Sequence, residues 1–234
     1  MTNNRIVSRA SLVIAGFSTI VEWYDFTLYL YFATVLSRLF FGGGEGALLT
    51  TLGGFAIAYL ARPFGAVVFG HIGDRHGRRR MMLASMAMMS LAMLATGLLP
   101  TRSVVGPTAG VLLLVMRTVM GFSVGGEYTG VVAYLMEGAP AHRRGLVTSL
   151  AAAASEVGGL LAVGISAATI ALTSEVTLVA WGWRIPFLFG AVLAGAVLVG
   201  LLPELLSGLA EYRQLVFGAG LLAVLWLAPR GLAG

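Results

Sequence analysis

The chain contains no cysteine and no lysine, and only 11% of its 234 residues are charged. The missing cysteines exclude disulfides and thiolate metal sites. The missing lysines exclude a Walker-type phosphate loop, Gly-x-x-x-x-Gly-Lys-Ser/Thr. The shortage of charge excludes most. A soluble globular domain carries about 25% charged residues, so this chain cannot dress the surface of a water-soluble fold of its size. The three histidines, His71, His76 and His142, are scattered without ligand spacing, so no metal and no cofactor is expected. The net charge of +5 does not mark a nucleic-acid partner either, because the arginines do not cluster on one soluble face.

What the chain has is apolar length: 58% of it is hydrophobic and 32 residues are glycine. At ~20 apolar residues per crossing there is room for six or seven membrane-spanning helices and none for a separate soluble domain. Charge and Gly/Pro clusters bound helices predicted at 11–36, 47–72, 81–99, 109–136, 146–173 and 184–202, with a further one at 212–228. The runs are too long and too continuous for barrel strands, which alternate over ~10 residues. The expected fold is therefore an all-α, polytopic transmembrane bundle. Arg5 and Arg9 precede the first apolar run, but Val21-Glu22-Trp23-Tyr24-Asp25-Phe26 follows it, without a small-residue cleavage site, so the first helix is expected to remain as a membrane anchor.

Arginine counts across alternate loops set an orientation. The amino terminus, the loop at 75–80 and the loop at 143–144 hold eight arginines, against Arg38, Arg102 and Arg184 on the opposite side. The positive-inside bias places the amino terminus in the cytoplasm.

Six charges fall at membrane depth: Glu22, Asp25, Arg62, Arg117, Glu127 and Glu156. Each costs at least ~2.5 to 3.5 kcal/mol near the midplane, so it is kept where it pairs or lines a water-filled path. Glu22 and Asp25, three apart, share one helical face with Phe26 and Tyr29. Two carboxylates so close resist ionising together, which is proton-carrier chemistry; the alternative is a static ion pair that fixes helix packing. By depth alone, Asp25 is matched by Arg117, and Arg62 can pair with Glu127. Arg117, Gly121 and Gly125 step along one face, where small residues admit a close neighbour. Arg62-Pro63, flanked by Gly53, Gly54, Gly65 and Gly70, marks a break in the hydrogen bonding of the second helix, which suits a helix that bends or rocks and an ordinary irregular helix nearly as well.

Residues 70–80, Gly-His-Ile-Gly-Asp-Arg-His-Gly-Arg-Arg-Arg, resemble the signature loop between the second and third helices of the major facilitator superfamily. Four more segments are similar to its metabolite:proton symporter branch, which carries organic acids, shikimate or betaine-like zwitterions: Glu-Trp-Tyr-Asp-Phe at 22–26, Arg-Pro-Phe-Gly at 62–65, Gly-Phe-Ser-Val-Gly-Gly-Glu-Tyr at 121–128 and Trp-Gly-Trp-Arg-Ile-Pro-Phe at 181–187. Glu137-Gly-Ala-Pro and Arg144-Gly145 extend the match, which runs from about residue 5 to 200. The resemblance implies that Asp25 and Arg117 belong to a coupling network, Arg62 and Glu127 to a central cavity, and Asp74 and Arg75 to an inner gate. Gly70 and Gly77 frame that gate, and Arg78 and Arg79 would meet Glu137, with Arg144 and Gly145 nearby. One departure stands out: Met120 occupies the place of a glutamine common before the glycine of the fourth-helix motif. Glu156 matches no family motif.

The superfamily is built from two six-helix halves, each of two inverted three-helix repeats, and residues 1–202 correspond to the first half. Residues 203–234, with Pro203-Glu204-Leu205-Leu206 and Ala228-Pro229-Arg230, look instead like the end of a branched-chain amino-acid ABC permease of the LivM type. The expected activity is proton-coupled symport of a small organic acid or zwitterion across the inner membrane. The expected partners are substrate, protons, lipid and a second transporter half or another copy. A non-transporting remnant is the alternative, and an ABC permease subunit a more remote one. An enzyme is not expected, since no serine, histidine and aspartate are placed to form a nucleophile motif.

Overall fold

The computed structural model describes residues 9–125, 131, 136 and 139–205, and no strand occurs among them. Six long helices carry the architecture: α1 (Arg9–Tyr31), α2 (Glu45–His76), α3 (Arg78–Leu98), α4 (Thr108–Val124), α5 (Arg144–Leu172) and α6 (Arg184–Leu205). Each overlaps one of the first six predicted helices. Val131 and Met136 are also helical, within the span predicted for the fourth. The predicted helix at 212–228 and nearly all of the 203–234 tail lie outside the described residues, as do Glu127 and Glu137.

Helices α2, α3 from Arg80 onward, and α5 are each long and apolar enough to cross a bilayer. A fourth span results if α6 is joined to the preceding Glu175–Gly182 segment, from which it bends by 42°. Helix α1 has the length, at 23 residues, but Glu22 and Asp25 interrupt its apolar run. The described part of α4 is apolar over 17 residues.

The packing partners fall into a regular pattern. Helix α1 lies along α5 and α2 along α4, α3 packs on α6, and α3 touches α4 as α6 touches α1. Exchanging the first three helices for the last three leaves this set unchanged. Because three is odd, the second set enters the bundle from the opposite side, which is the arrangement of an inverted repeat.

Glycine sets the closest approaches. A Cβ on Gly121 would run into the backbone of Ala58, one on Gly125 into that of Arg62, and one on Gly65 into that of Phe122, so α2 and α4 meet backbone to backbone. The contact falls on the Arg62-Pro63 position, where α2 continues as one helix through Pro63 to His76. Proline removes one hydrogen bond, to the carbonyl of Tyr59, but α4 is packed on that same stretch and holds it.

The signature segment is likewise less of a loop than expected. Gly70, Asp74 and Arg75 belong to the last turns of α2, and Gly77 alone separates α2 from α3. Its φ of 91° and ψ of 145° lie in a region open to glycine and strained for any other residue.

The core is aromatic and thioether-rich. Tyr24 and Leu28 of α1 and Phe32 just after it pack with Met82, Met86, Met89 and Met93 of α3, and with Trp183 and Phe187 around the start of α6. The methionines recur at steps of four, three and four, which keeps them on one face, and their flexible side chains fill an irregular interior. Tyr24 ties α1 to α6 by donating a hydrogen bond to the Pro186 carbonyl at 2.7 Å. By contrast, less than a quarter of the apolar stretch is buried in α2 or α5, against more than half in α3. The bundle's open faces therefore belong to α2 and α5.

Candidate functional site

Three helices present the same stepping to one point. Glu22, Asp25, Phe26 and Tyr29 of α1 face Phe55, Ala58, Tyr59 and Arg62 of α2, and Arg117, Met120, Gly121 and Val124 of α4. Each set follows the spacing i, i+3, i+4, i+7, the stripe a straight helix turns to one side. Phe55 and Tyr59 carry no charge and went unremarked in the sequence, although the same stepping back from Arg62 leads to both.

The cavity they enclose measures about 30 Å³. That admits a water molecule or two and falls far short of the ~300 Å³ of a small-molecule pocket. The polar centre of this bundle is water-sized.

Two ion pairs cross it. Arg117 donates to Asp25 in a bidentate pair, Nη1 to Oδ2 at 2.7 Å and Nη2 to Oδ1 at 3.1 Å, with both side chains buried. Its Nη2 also lies 3.5 Å from Thr96 Oγ1 of α3, and its guanidinium sits 4.8 Å from the centre of the Tyr29 ring. Tyr29 is itself fixed by donating to the Thr51 carbonyl at 2.7 Å. A planar guanidinium matches a carboxylate in two parallel bonds, and the aromatic face adds a cation–π contact. The Asp25–Arg117 pairing expected from depth is thus found.

Arg62 behaves differently. It lies 3.6 Å from Glu22 and covers the Tyr59 ring at 4.3 Å and the Phe26 ring at 5.5 Å. Its side chain is 28% exposed while that of Glu22 is 4% exposed, so this pair opens toward the bundle surface. The partner brought to Arg62 is Glu22; Glu127, expected there from depth, is outside the described residues. Each carboxylate of the Glu22/Asp25 face has its own guanidinium.

Glu156 joins none of this. It is exposed on α5, away from the lining of the cavity. Around the end of α2, Asp74, Arg75 and Gly77 are exposed, as are Arg144 and Gly145 at the start of α5. The structure brings no described ion pair to Asp74 or Arg75. The side chains of Arg78 and Arg79 are outside the description.

On the opposite end, Arg38 pairs with Glu175 at 3.2 Å, both exposed. Arg184 donates to the Leu99 carbonyl at 3.1 Å, and Arg102 to the Phe41 carbonyl at 3.2 Å. These contacts staple the connections after α1, α3 and α5 to one another.

A bundle of membrane-length helices, in two inverted sets, with ion pairs buried around a small polar centre, has the build of a membrane transport protein rather than of an enzyme. The chain belongs to the family described as sugar (and other) transporter, whose model matches residues 11–204. It is 40% identical over 177 residues to the shikimate transporter of Escherichia coli strain K12, which covers 74% of this chain and 40% of that protein. Against the glycine betaine/proline/ectoine/pipecolic acid transporter OusA of Dickeya dadantii it is 34% identical over 209 residues, 88% of this chain and 41% of that one.

Among solved structures, the major facilitator superfamily proton:xylose symporter XylE superposes with a TM-score of 0.73 at 21% identity, over 82% of this chain and 43% of that one. That likeness establishes the major facilitator fold. The chain spans about two fifths of the length of the curated relatives it matches.

Proposed function

We propose that the chain is one bundle of a proton-coupled symporter for a small organic acid or zwitterionic metabolite. The observation that carries this reading is the buried Asp25–Arg117 pair beside the half-open Glu22–Arg62 pair. Such a pair is a switch in a poorly hydrated site: protonating Asp25 cancels its attraction for Arg117 and frees a guanidinium, and losing the proton restores the bond. The relatives named for shikimate and for betaine, proline and ectoine support a small organic solute. Glu127 is assigned to the same pathway. Asp74, Arg75, Arg78, Arg79, Glu137 and Arg144 are assigned to an inner gate around Gly70, Gly77 and Gly145.

A cavity of about 30 Å³ cannot enclose such a solute, so the site is completed against a second bundle. The open faces of α2 and α5 are where that bundle would seat. The bundle resides in the inner membrane with its amino terminus in the cytoplasm, as the arginine distribution supports. Residues 1–202 form the transport bundle, and the 203–234 tail is of LivM-like origin, appended to it.

The test is reconstitution into liposomes with an imposed proton gradient, alone and with a co-expressed second half. Substrate-dependent proton movement with glycine betaine, proline or shikimate is the expected result. Its absence in every combination would identify a non-transporting remnant.

A further inference from the structure

Of the five described charges at membrane depth, four are taken up in the pairs Glu22–Arg62 and Asp25–Arg117. The fifth is Glu156. It stands near the middle of the 29-residue helix α5, is exposed, and makes no hydrogen bond or ion pair with a described residue.

Its depth follows from the packing of α5 on α1. A Cβ on Gly158 would meet Ile20 and Trp23, and one on Gly159 would lie 3.5 Å from the Thr27 hydroxyl. Glu156 therefore lies within about one helical turn of the level of Glu22. The buried positions Ala154 and Gly158, two residues to either side, point roughly opposite to it, at 100° per residue. On its own face stand Ala152, Leu160 and Val163, all exposed and apolar.

A carboxylate on such a surface at mid-membrane is costly unless it lines a wet path or meets a cation. The described guanidiniums at this depth, Arg62 and Arg117, are each already paired with a carboxylate, so the charge left without a described partner is negative. The central cavity is too small for a solute, and in the reading above the site is completed where a second bundle seats on the open faces, one of which α5 carries. We propose that Glu156 receives the cationic group of the solute, so that this chain selects ammonium-bearing zwitterions over plain organic anions. The proposal rests on the transport reading above.

The test is calorimetric titration of the full chain in lipid nanodiscs with glycine betaine and, separately, with shikimate, in wild type, Glu156→Gln and Glu156→Asp. Loss of the carboxylate charge facing the trimethylammonium group should weaken glycine betaine binding about tenfold or more in Glu156→Gln. Shikimate binding should change by less than about twofold, and Glu156→Asp should stay close to wild type. An unchanged glycine betaine affinity, or an equal loss for both solutes, overturns the proposal. Wild type that binds neither solute, alone or with the co-expressed second half, overturns the transport reading and this proposal with it, whereas wild-type binding indifferent to Glu156 overturns this proposal alone. Should the variants fold poorly, carbodiimide labelling of wild-type Glu156, located by peptide mass spectrometry, decides. Protection by glycine betaine and not by shikimate supports the assignment; labelling indifferent to both refutes it.

Discussion

Asp25 and Arg117 are each tolerable in this interior only because the other is there. A buried charge stripped of its partner costs ~3 to 5 kcal/mol, and more than the pair itself contributes. Asp25→Asn should therefore lower stability by about 3 to 5 kcal/mol, read as a fall in the thermal midpoint of the detergent-purified protein. Adding Arg117→Met to it should recover part of the loss, because no unpaired guanidinium then remains. A double variant as unstable as the single would mean that the pair is not a mutual neutralisation. The depth of both residues, and so their pairing, was legible in the chain. Arg62 meets Glu22, a contact not foreseen, because depth says nothing about which side chains of neighbouring helices face each other; Glu127, matched to it by depth, lies outside the described residues. Met120 can now be placed too: it is buried on the cavity wall, so a thioether stands where the resemblance leads one to expect an amide, and the wall is drier there.

Two elements depend on glycine for opposite reasons. In α4, Gly121 is needed because there is no space: its Cβ position is occupied by the Ala58 backbone. Gly121→Val should separate α2 from α4 and disturb the cavity they share, at a cost of ~1 to 3 kcal/mol or more for overpacking, seen as loss of thermal stability. At Gly77 nothing lies within 4 Å of a Cβ, and the constraint is the backbone itself. Gly77→Val should cost ~1 to 3 kcal/mol of strain, and should appear as faster proteolysis between α2 and α3 with the rest of the bundle intact. Sequence reading found Gly77 as a turn and the α4 glycines as a close-packing stripe. It made the loop too long, because the helical ends of the basic segment are a tertiary matter.

At the scale of the molecule, α2 and α5 offer large exposed side chains, among them Leu60, Phe64 and Val67 on α2, with Leu146 and Leu160 on α5. The absence of cysteine makes their environment easy to probe. Phe64→Cys should cross-link to a second copy or a second half in native membranes, whereas Leu91→Cys on α3 should not. Labelling from one side tests the orientation. With the amino terminus in the cytoplasm, His76→Cys should react with a membrane-impermeant maleimide only in inverted vesicles, and Ser103→Cys only in intact spheroplasts.

By itself the sequence determined that the chain is a membrane-spanning helical bundle, roughly where its first six helices lie, and which charges sit at membrane depth. Hydrophobic run length and loop charge encode those properties locally, and the i, i+3, i+4 stepping of Glu22, Asp25 and Phe26 already showed a shared face. Tertiary structure alone decided that Glu22 meets Arg62, that Phe55 and Tyr59 wall the same cavity, that the cavity is water-sized, and that Glu156 is left over on an open face. A helix's periodicity gives a side chain its depth and its side. Which other helix lies opposite is set by close backbone contacts such as those at Gly65, Gly121, Gly125 and Gly158, made between segments far apart in the chain.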